Sequence, residues 1–260
     1  MGRIGYTYGS EWHLQRMLAY HRDDLNRHVE AAVPGSRVLR WLPQAYTATD
    51  PGSPDPGCYP TAPRPPGRPP APRKLDEELK GIDFLTPYLL AKVGRAWLDY
   101  WPRSGNMPNW DAAGQIDVGG TTHWLLVEAK AHVGELRSEC KASERGGLGA
   151  ILAAFERTAR TMDVEVDVAS WLTPFYQFCN RLAVLNFLLA HEIPAVVLFA
   201  YFLGDRFPEG DPAICPATRA EWEPHLGTMY AHVGWTAAAA NPLRHLVRRS
   251  FIPVWRPTSL

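Results

Sequence analysis

Asp111, Glu128 and Lys130 are the residues of this chain best suited to chemistry. They stand in the stretch NWDAAGQIDVGGTTHWLLVEAKAHVGEL, residues 109–136. Two runs of strand character flank Gly119-Gly120. Side chains alternate across a strand, so Glu128 and Lys130 share one face and Ala129 takes the other. Two carboxylates and an ammonium on one face suit cation-assisted hydrolysis of a phosphodiester. The carboxylates hold a hard divalent ion and the lysine sits beside the attacking water.

The hairpin register follows from the turn. If Gly119-Gly120 is a tight turn, Val118 pairs with Thr121 and Asp111 falls opposite Glu128. If the loop runs from Gly119 to Thr122, Asp111 falls opposite Lys130. Both registers put Asp111, Gln115 and Asp117 on the face of Glu128 and Lys130, because directly opposed residues share a face. A slip of one residue would move Asp111 to the other face.

Length and composition set the frame for this hairpin. A chain of 260 residues suits one large α/β domain or a domain with an insertion. Its 27 basic residues balance 27 acidic ones, so no global field draws it to a polyanion, and a local basic groove would have to do so. The four cysteines, Cys58, Cys140, Cys179 and Cys215, are far apart and lack a C-x-x-C pair. That spacing suggests neither zinc nor a disulfide framework, but reduced thiols. The N-terminus does not read as a signal peptide. The longest apolar run, Ile193 to Leu203, is too short to span a bilayer. A soluble, cytoplasmic protein with no membrane partner is expected.

Around the hairpin, Ser10 reads as the N-cap of a helix that continues on Leu14, Met17, Leu18, Leu25 and Val29 to about Ala32. SRVLRWLP reads as a strand. Residues 46–74 are rich in Pro and Gly and cannot bury a core, which marks a flexible insertion. Its arginines could touch a polyanion, or it could serve as a passive linker. Residues 1–45 then supply the first helix and strand of the core, and 75–260 the remainder. LDEELKGIDFLTPYLLAKVGRAWLDYWP reads as mainly helical, ending at Pro102. Two more helices follow, in ERGGLGAILAAFERTARTM and TPFYQFCNRLAVLNFLLAHE. IPAVVLFAYFL reads as a strand buried on both faces. A helix interrupted near Pro224 and a late edge strand in RRSFIPVWRP complete the pattern.

This order of helix, strand, acidic hairpin, helix and buried strand resembles the PD-(D/E)XK nuclease superfamily. Glu128-Ala129-Lys130 matches its (D/E)-x-K half, and Asp111 matches the preceding Asp. Trp110 stands where the motif has Pro. The segments GSEWHLQRMLAYHRDDLN, PNWDAAGQIDV, WLLVEAKAHVGEL and FYQFCNRLAVLNFLLAHEIPAVVLFAYFLGD are also similar to an uncharacterised bacterial group within it. The resemblance implies an α/β, restriction-endonuclease-like fold, with a central mixed β-sheet flanked by helices. It implies a metal-dependent nuclease acting on nucleic acid, with DNA the first expectation. Asp111, Glu128 and the Ala129 carbonyl would hold Mg²⁺ (or Mn²⁺), and Lys130 would orient or deprotonate water and stabilise charge on the phosphate. Glu11 matches an acid that exonuclease-type relatives carry on the first helix. At N1 it could equally serve the helix dipole.

Other polar residues carry two readings each. Gln115 could order water or phosphate, and Asp117 belongs nearer the turn. Tyr176, Gln177, Asn180 and Arg181 form a polar face of one helix. They loosely resemble the Gln/Tyr helix of one branch of the superfamily, in a different order. Phosphate positioning and helix docking both fit them. His132, Glu135 and Ser138 could close one side of the site. His13 reads as structural or capping. Arg244, His245, Arg248 and Arg249 read as a solvated helix end or as phosphate contacts. A homodimer, or a partner protein that supplies targeting, is compatible with this picture. The alternative function is a nucleic-acid- or protein-binding module on the same fold without catalysis. A glycosidase is disfavoured, because Lys130 would hold both acids ionised and spoil a general acid.

Overall fold

The computed structural model describes residues 8–42, 79–102, 107–206, 214–235 and 241–254. The insertion expected over 46–74 lies outside the described residues. Strand-forming runs assemble into a five-stranded mixed sheet flanked by helices, an α/β architecture. Its strands are β1 (Ser36–Trp41), β4 (Ala112–Val118), β5 (Thr121–Lys130), β6 (Ala195–Leu203) and β7 (Val247–Pro253), side by side in that order. β1, β4 and β5 run antiparallel; β6 and β7 continue parallel to β5. Two short strands, β2 (Leu79–Lys80) and β3 (Asn109–Trp110), pair separately.

The turn sets the hairpin. Gly119 and Gly120 have φ of 60° and 84°. A two-residue turn with both central φ positive matches the twist of its strands and admits glycine freely. Val118 therefore pairs with Thr121 and Ala112 with Val127, so the tight-turn register holds and the longer loop does not.

Both faces of the sheet are covered. Helices α1 (Ser10–Tyr20) and α2 (Arg22–Ala32) bury Leu14, Met17, Leu18, Leu25 and Val29 against Leu125, Val127, Ala129, Leu198 and Phe202. The other face carries the larger core. There α3 (Pro87–Tyr100), α4 (Leu148–Met162), α5 (Tyr176–Ala190) and α6 (Arg219–Val233) pack on Trp124, Leu126, Phe199 and Tyr201. β6 is buried on both faces, as its continuous apolar run requires.

Several expectations need correction. The first helix is two helices joined at His21, where the backbone leaves helical geometry and the Arg22 Nε donates to the Leu18 carbonyl at 3.0 Å. Its N-cap is Gly9, not Ser10, whose hydroxyl instead donates to Glu135 Oε1 at 3.1 Å. Residues 79–86 are strand and turn; the helix there starts at Pro87, capped by the Thr86 hydroxyl. α6 runs unbroken through Pro224, because Trp222, Leu226, Met229 and Val233 bury one stripe that outweighs the lost hydrogen bond. Arg248 and Arg249 lie on the edge strand β7 rather than at a helix end; Arg249 donates to Glu223 at 3.0 Å. Pro253 is the last residue of that edge strand. Among the described residues no helix is long and apolar enough to cross a membrane.

Asp205, just past β6, fastens the start of α1. Its carboxylate accepts from His13 Nε2 at 2.8 Å, the Gly9 N–H at 2.9 Å and the Arg206 N–H at 2.8 Å. His13 is thus structural. Burial alone would raise this carboxyl, but the bonds from His13, Gly9 and Arg206 outweigh it and hold Asp205 below the ordinary carboxylate value. A depressed carboxylate stabilises the fold fully above its unfolded value, about pH 4. That contribution fades as pH falls below this point. Asp205→Ala should cost about 2 kcal/mol at pH 7 by leaving buried donors unpaired. Urea melts at pH 7 and pH 3 should show the gap to wild type closing at the lower pH.

Candidate functional site

The candidate site forms where β5 outruns β4. β5 is buried from Trp124 through Lys130. Alternation sends Leu126, Glu128 and Lys130 toward α5, and Val127 and Ala129 toward α1. β4 begins at Ala112, opposite Val127. Asp111 sits in the break between β3 and β4. Its N–H donates to the Val127 carbonyl at 3.0 Å, and its Oδ2 accepts from the Ala129 N–H at 2.7 Å. Within a strand, the N–H and C=O of one residue point to the same edge, so the Ala129 carbonyl is directed to the side of Asp111.

Glu128, 2% exposed, is the centre of the cluster. Its Oε1 accepts from Lys130 Nζ at 2.5 Å. Its Oε2 accepts from Arg181 Nε at 2.8 Å and Nη2 at 2.5 Å. Lys130 Nζ also donates to Gln177 Oε1 at 3.3 Å. Arg181 Nη1 donates to Asn180 Oδ1 at 2.6 Å, and the guanidinium lies 5.0 Å from the centre of the Trp110 ring. Trp110 is itself buried and donates to the Gly81 carbonyl at 3.0 Å. The Trp110 indole is therefore the platform on which the arginine rests.

The charges are strongly coupled. Burial and the nearby Glu128 carboxylate push the Asp111 carboxyl well above its ordinary range. Burial works against the charge of Glu128 too, but Arg181 and then Lys130 outweigh it and hold this acid low. Burial disfavours the Lys130 ammonium, yet Glu128, Asp111 and Glu135 together raise it above an ordinary lysine. A lysine held protonated is fitted to stabilise negative charge, not to take a proton from water.

The structure brings Asp111, Glu128, Ala129, Lys130, Gln177, Asn180 and Arg181 together. Tyr176 is on the same helix face, and burial is the main cause that raises its hydroxyl above the ordinary tyrosine value. Arg181, for which phosphate positioning and helix docking both stand open in the sequence, is the buried partner of Glu128. Gln115 shares the face of Glu128 but pairs with Trp124, four residues up the strand, or about 13 Å. It accepts from Arg40 Nε at 2.8 Å and is not part of the cluster. Asp117 accepts from the Gly120 N–H in the turn. Glu11 is half-buried in the first turn of α1. Beside it, Ser10 reaches Glu135, whose other oxygen accepts from the Ala131 N–H at 2.5 Å, with His132 3.5 Å away. Ser138 accepts from the Gln177 N–H at 2.7 Å and so docks the start of α5. Sequence reasoning missed Asp205 and the stacking of Arg181 on Trp110. Neither contact leaves a local pattern, because each joins distant parts of the chain.

Comparison of the chain with family models, with curated proteins and with solved structures finds no match. The chemistry of the site has to be judged on its own donors. Among the described residues no three His, Cys, Asp or Glu side chains form a group that could hold a metal ion. Two carboxylates and a main-chain carbonyl, all hard oxygens, fit Mg²⁺, which keeps several waters and takes few protein ligands. They do not fit zinc. A cation that uses Glu128 competes with Lys130 or Arg181 for its oxygens.

Removing one partner of a buried ion pair strands the other charge. Arg181→Ala should therefore destabilise the protein by about 3–5 kcal/mol in denaturant melts. Arg181→Met paired with Glu128→Gln should recover part of that loss, because one cation and one carboxylate are removed together and Lys130 keeps Asp111 as a counter-charge.

Proposed function

We propose that the protein is a metal-dependent nuclease of the PD-(D/E)XK type on a restriction-endonuclease-like fold, with DNA as its first substrate. The observation that carries this reading is the convergence of Asp111, Glu128 and Lys130 at the carboxyl end of β5. The buried carboxylate of Glu128, the half-buried one of Asp111 and an ammonium meet there beside a main-chain carbonyl. The order α1–α2, β1, the β4–β5 hairpin, α5 and parallel β6 supports the fold assignment.

Asp111 and Glu128, with the Ala129 carbonyl, would hold Mg²⁺ or Mn²⁺. When bound, the ion would polarise a phosphoryl oxygen and acidify water. Lys130 presents its ammonium to the charge that grows on the phosphate. Arg181 fixes the Glu128 carboxylate against α5, and Gln177 holds Lys130 from the same helix. Asp111→Ala or Lys130→Ala should abolish cleavage of linear, circular or single-stranded DNA, or of RNA, in Mg²⁺ or Mn²⁺, assayed well below the melting temperature of each variant, which Lys130→Ala should lower. Full activity in either purified variant would remove the proposed centre.

One observation favours a second reading, a binding module without catalysis. Both oxygens of Glu128 are already engaged, and the space beside Glu128 and Lys130 is about 10 Å³, room for one water. Calorimetry separates the two. Uptake of Mn²⁺ by wild type that is lost in Asp111→Asn supports the hydrolase. Absence of uptake of either ion supports the binding module.

A further inference from the structure

Tyr201 on β6 pairs with Lys130 on β5, so the two side chains stand side by side on the α5 face of the sheet. Tyr201 is fully buried, and its hydroxyl makes no hydrogen bond among the described residues. A buried hydroxyl without a partner is costly. Burial, and then the neighbouring Tyr230, push this hydroxyl well above the ordinary tyrosine value, so it remains an O–H donor at working pH. Lys130 has a donor to spare as well. Its ammonium carries three protons and gives two, to Glu128 Oε1 and Gln177 Oε1, which leaves one over among the described residues. Both side chains line the cavity of about 10 Å³ beside the site, together with Glu128, Gln177, Phe199 and Met229.

We propose that one resident water fills this cavity, accepting from Tyr201 and from Lys130, and that Tyr201 is thereby a positioning residue for the ammonium. The volume is that of a single water, and a buried water takes roughly two to four polar partners. Tyr201 and Lys130 fill its two acceptor sites. Its own protons go to Gln177 or Glu128, whose oxygens accept more than one bond. A cation in the same place would meet the Lys130 ammonium at close range. An apolar group would leave both donors unpaired. Neither Asp111 nor Ala129 lines the cavity, so this water is distinct from one that a metal would activate for attack. The water site stands on its own, and only its consequence for cleavage rests on the hydrolase reading.

Crystals of wild type and of Tyr201→Phe that diffract well enough to show ordered water test the site directly. Wild type should show density within hydrogen-bonding distance of Tyr201 Oη and Lys130 Nζ, and the variant should lose it. No density, or a Tyr201 hydroxyl bonded to Tyr230 in its place, overturns the proposal. Thermal melts give an independent sign. Deleting an unpaired hydroxyl raises the melting temperature, whereas deleting one that holds a water lowers it. A fall of about 2–4 °C is expected, and a rise overturns the proposal. In cleavage assays with Mg²⁺, Tyr201→Phe should lower kcat about tenfold and leave KM unchanged, as loss of an outer partner does. An unchanged kcat in a variant that has lost the water overturns the positioning role. A wild type that cleaves nothing, but shows the water and loses it on substitution, removes the hydrolase reading and keeps the water site.

Discussion

A carboxylate buried at the end of β5 dictates much of the rest. Taking an ionised group out of water costs several kcal/mol, and the cost is tolerable only if partners of opposite charge are fixed beside it. Glu128 finds Lys130 two residues on along its own strand and Arg181 on α5. α5 is apolar on most of its surface, with Phe178, Cys179, Leu182, Val184, Leu185, Phe187 and Leu188 all buried. Such a helix could slide along the sheet at little cost. The Arg181–Glu128 pair fixes its position, and the indole of Trp110 under the guanidinium ties β3 to the same point.

The two acids are not equivalent, and their difference follows from their neighbours. Glu128 is saturated by two cations and stays ionised. Asp111 feels the Glu128 carboxylate and accepts the Ala129 N–H with its Oδ2. On the hydrolase reading, Asp111 is the group with most to gain from a divalent cation, since the ion would relieve its repulsion with Glu128. Lys130, bonded to both Glu128 and Gln177, is placed as a donor. Of the roles that the resemblance implies for Lys130, stabilising charge is the one that a raised ammonium favours.

Sequence patterns are local and periodic, and that decides what could be read from them. Gly119-Gly120 fixed a turn geometry, hence a register, hence the meeting of Asp111 with the end of β5. The continuous apolar run at 193–203 marked the buried strand for the same local reason. Gln115 shows the limit. Alternation gives its face correctly, but periodicity says nothing of distance along that face, and four residues of strand separate it from Glu128. Arg181 shows another limit. Its helix face was legible, but a charged side chain looks the same in sequence whether it meets a substrate or a buried carboxylate. Pro224 read as a helix break because local propensity was weighed without the buried stripe that overrides it.

The position of the site follows from the sheet itself. β5 belongs to two structures, an antiparallel hairpin with β4 and a parallel pair with β6. Their lengths differ. Pairing with β6 continues through Glu128, Ala129 and Lys130, while β4 ends its ladder opposite Val127. The last turn of β5 thus has a neighbouring strand on one side and, on the other, backbone groups that still require partners. Asp111 supplies an acceptor for the Ala129 N–H with its carboxylate, while its own N–H donates to the Val127 carbonyl. The Ala129 carbonyl faces the same edge. Ending one strand early therefore places a carboxylate, a carbonyl and the Glu128–Lys130 pair around the carboxyl end of a parallel strand, the end at which α/β sheets place their ligands.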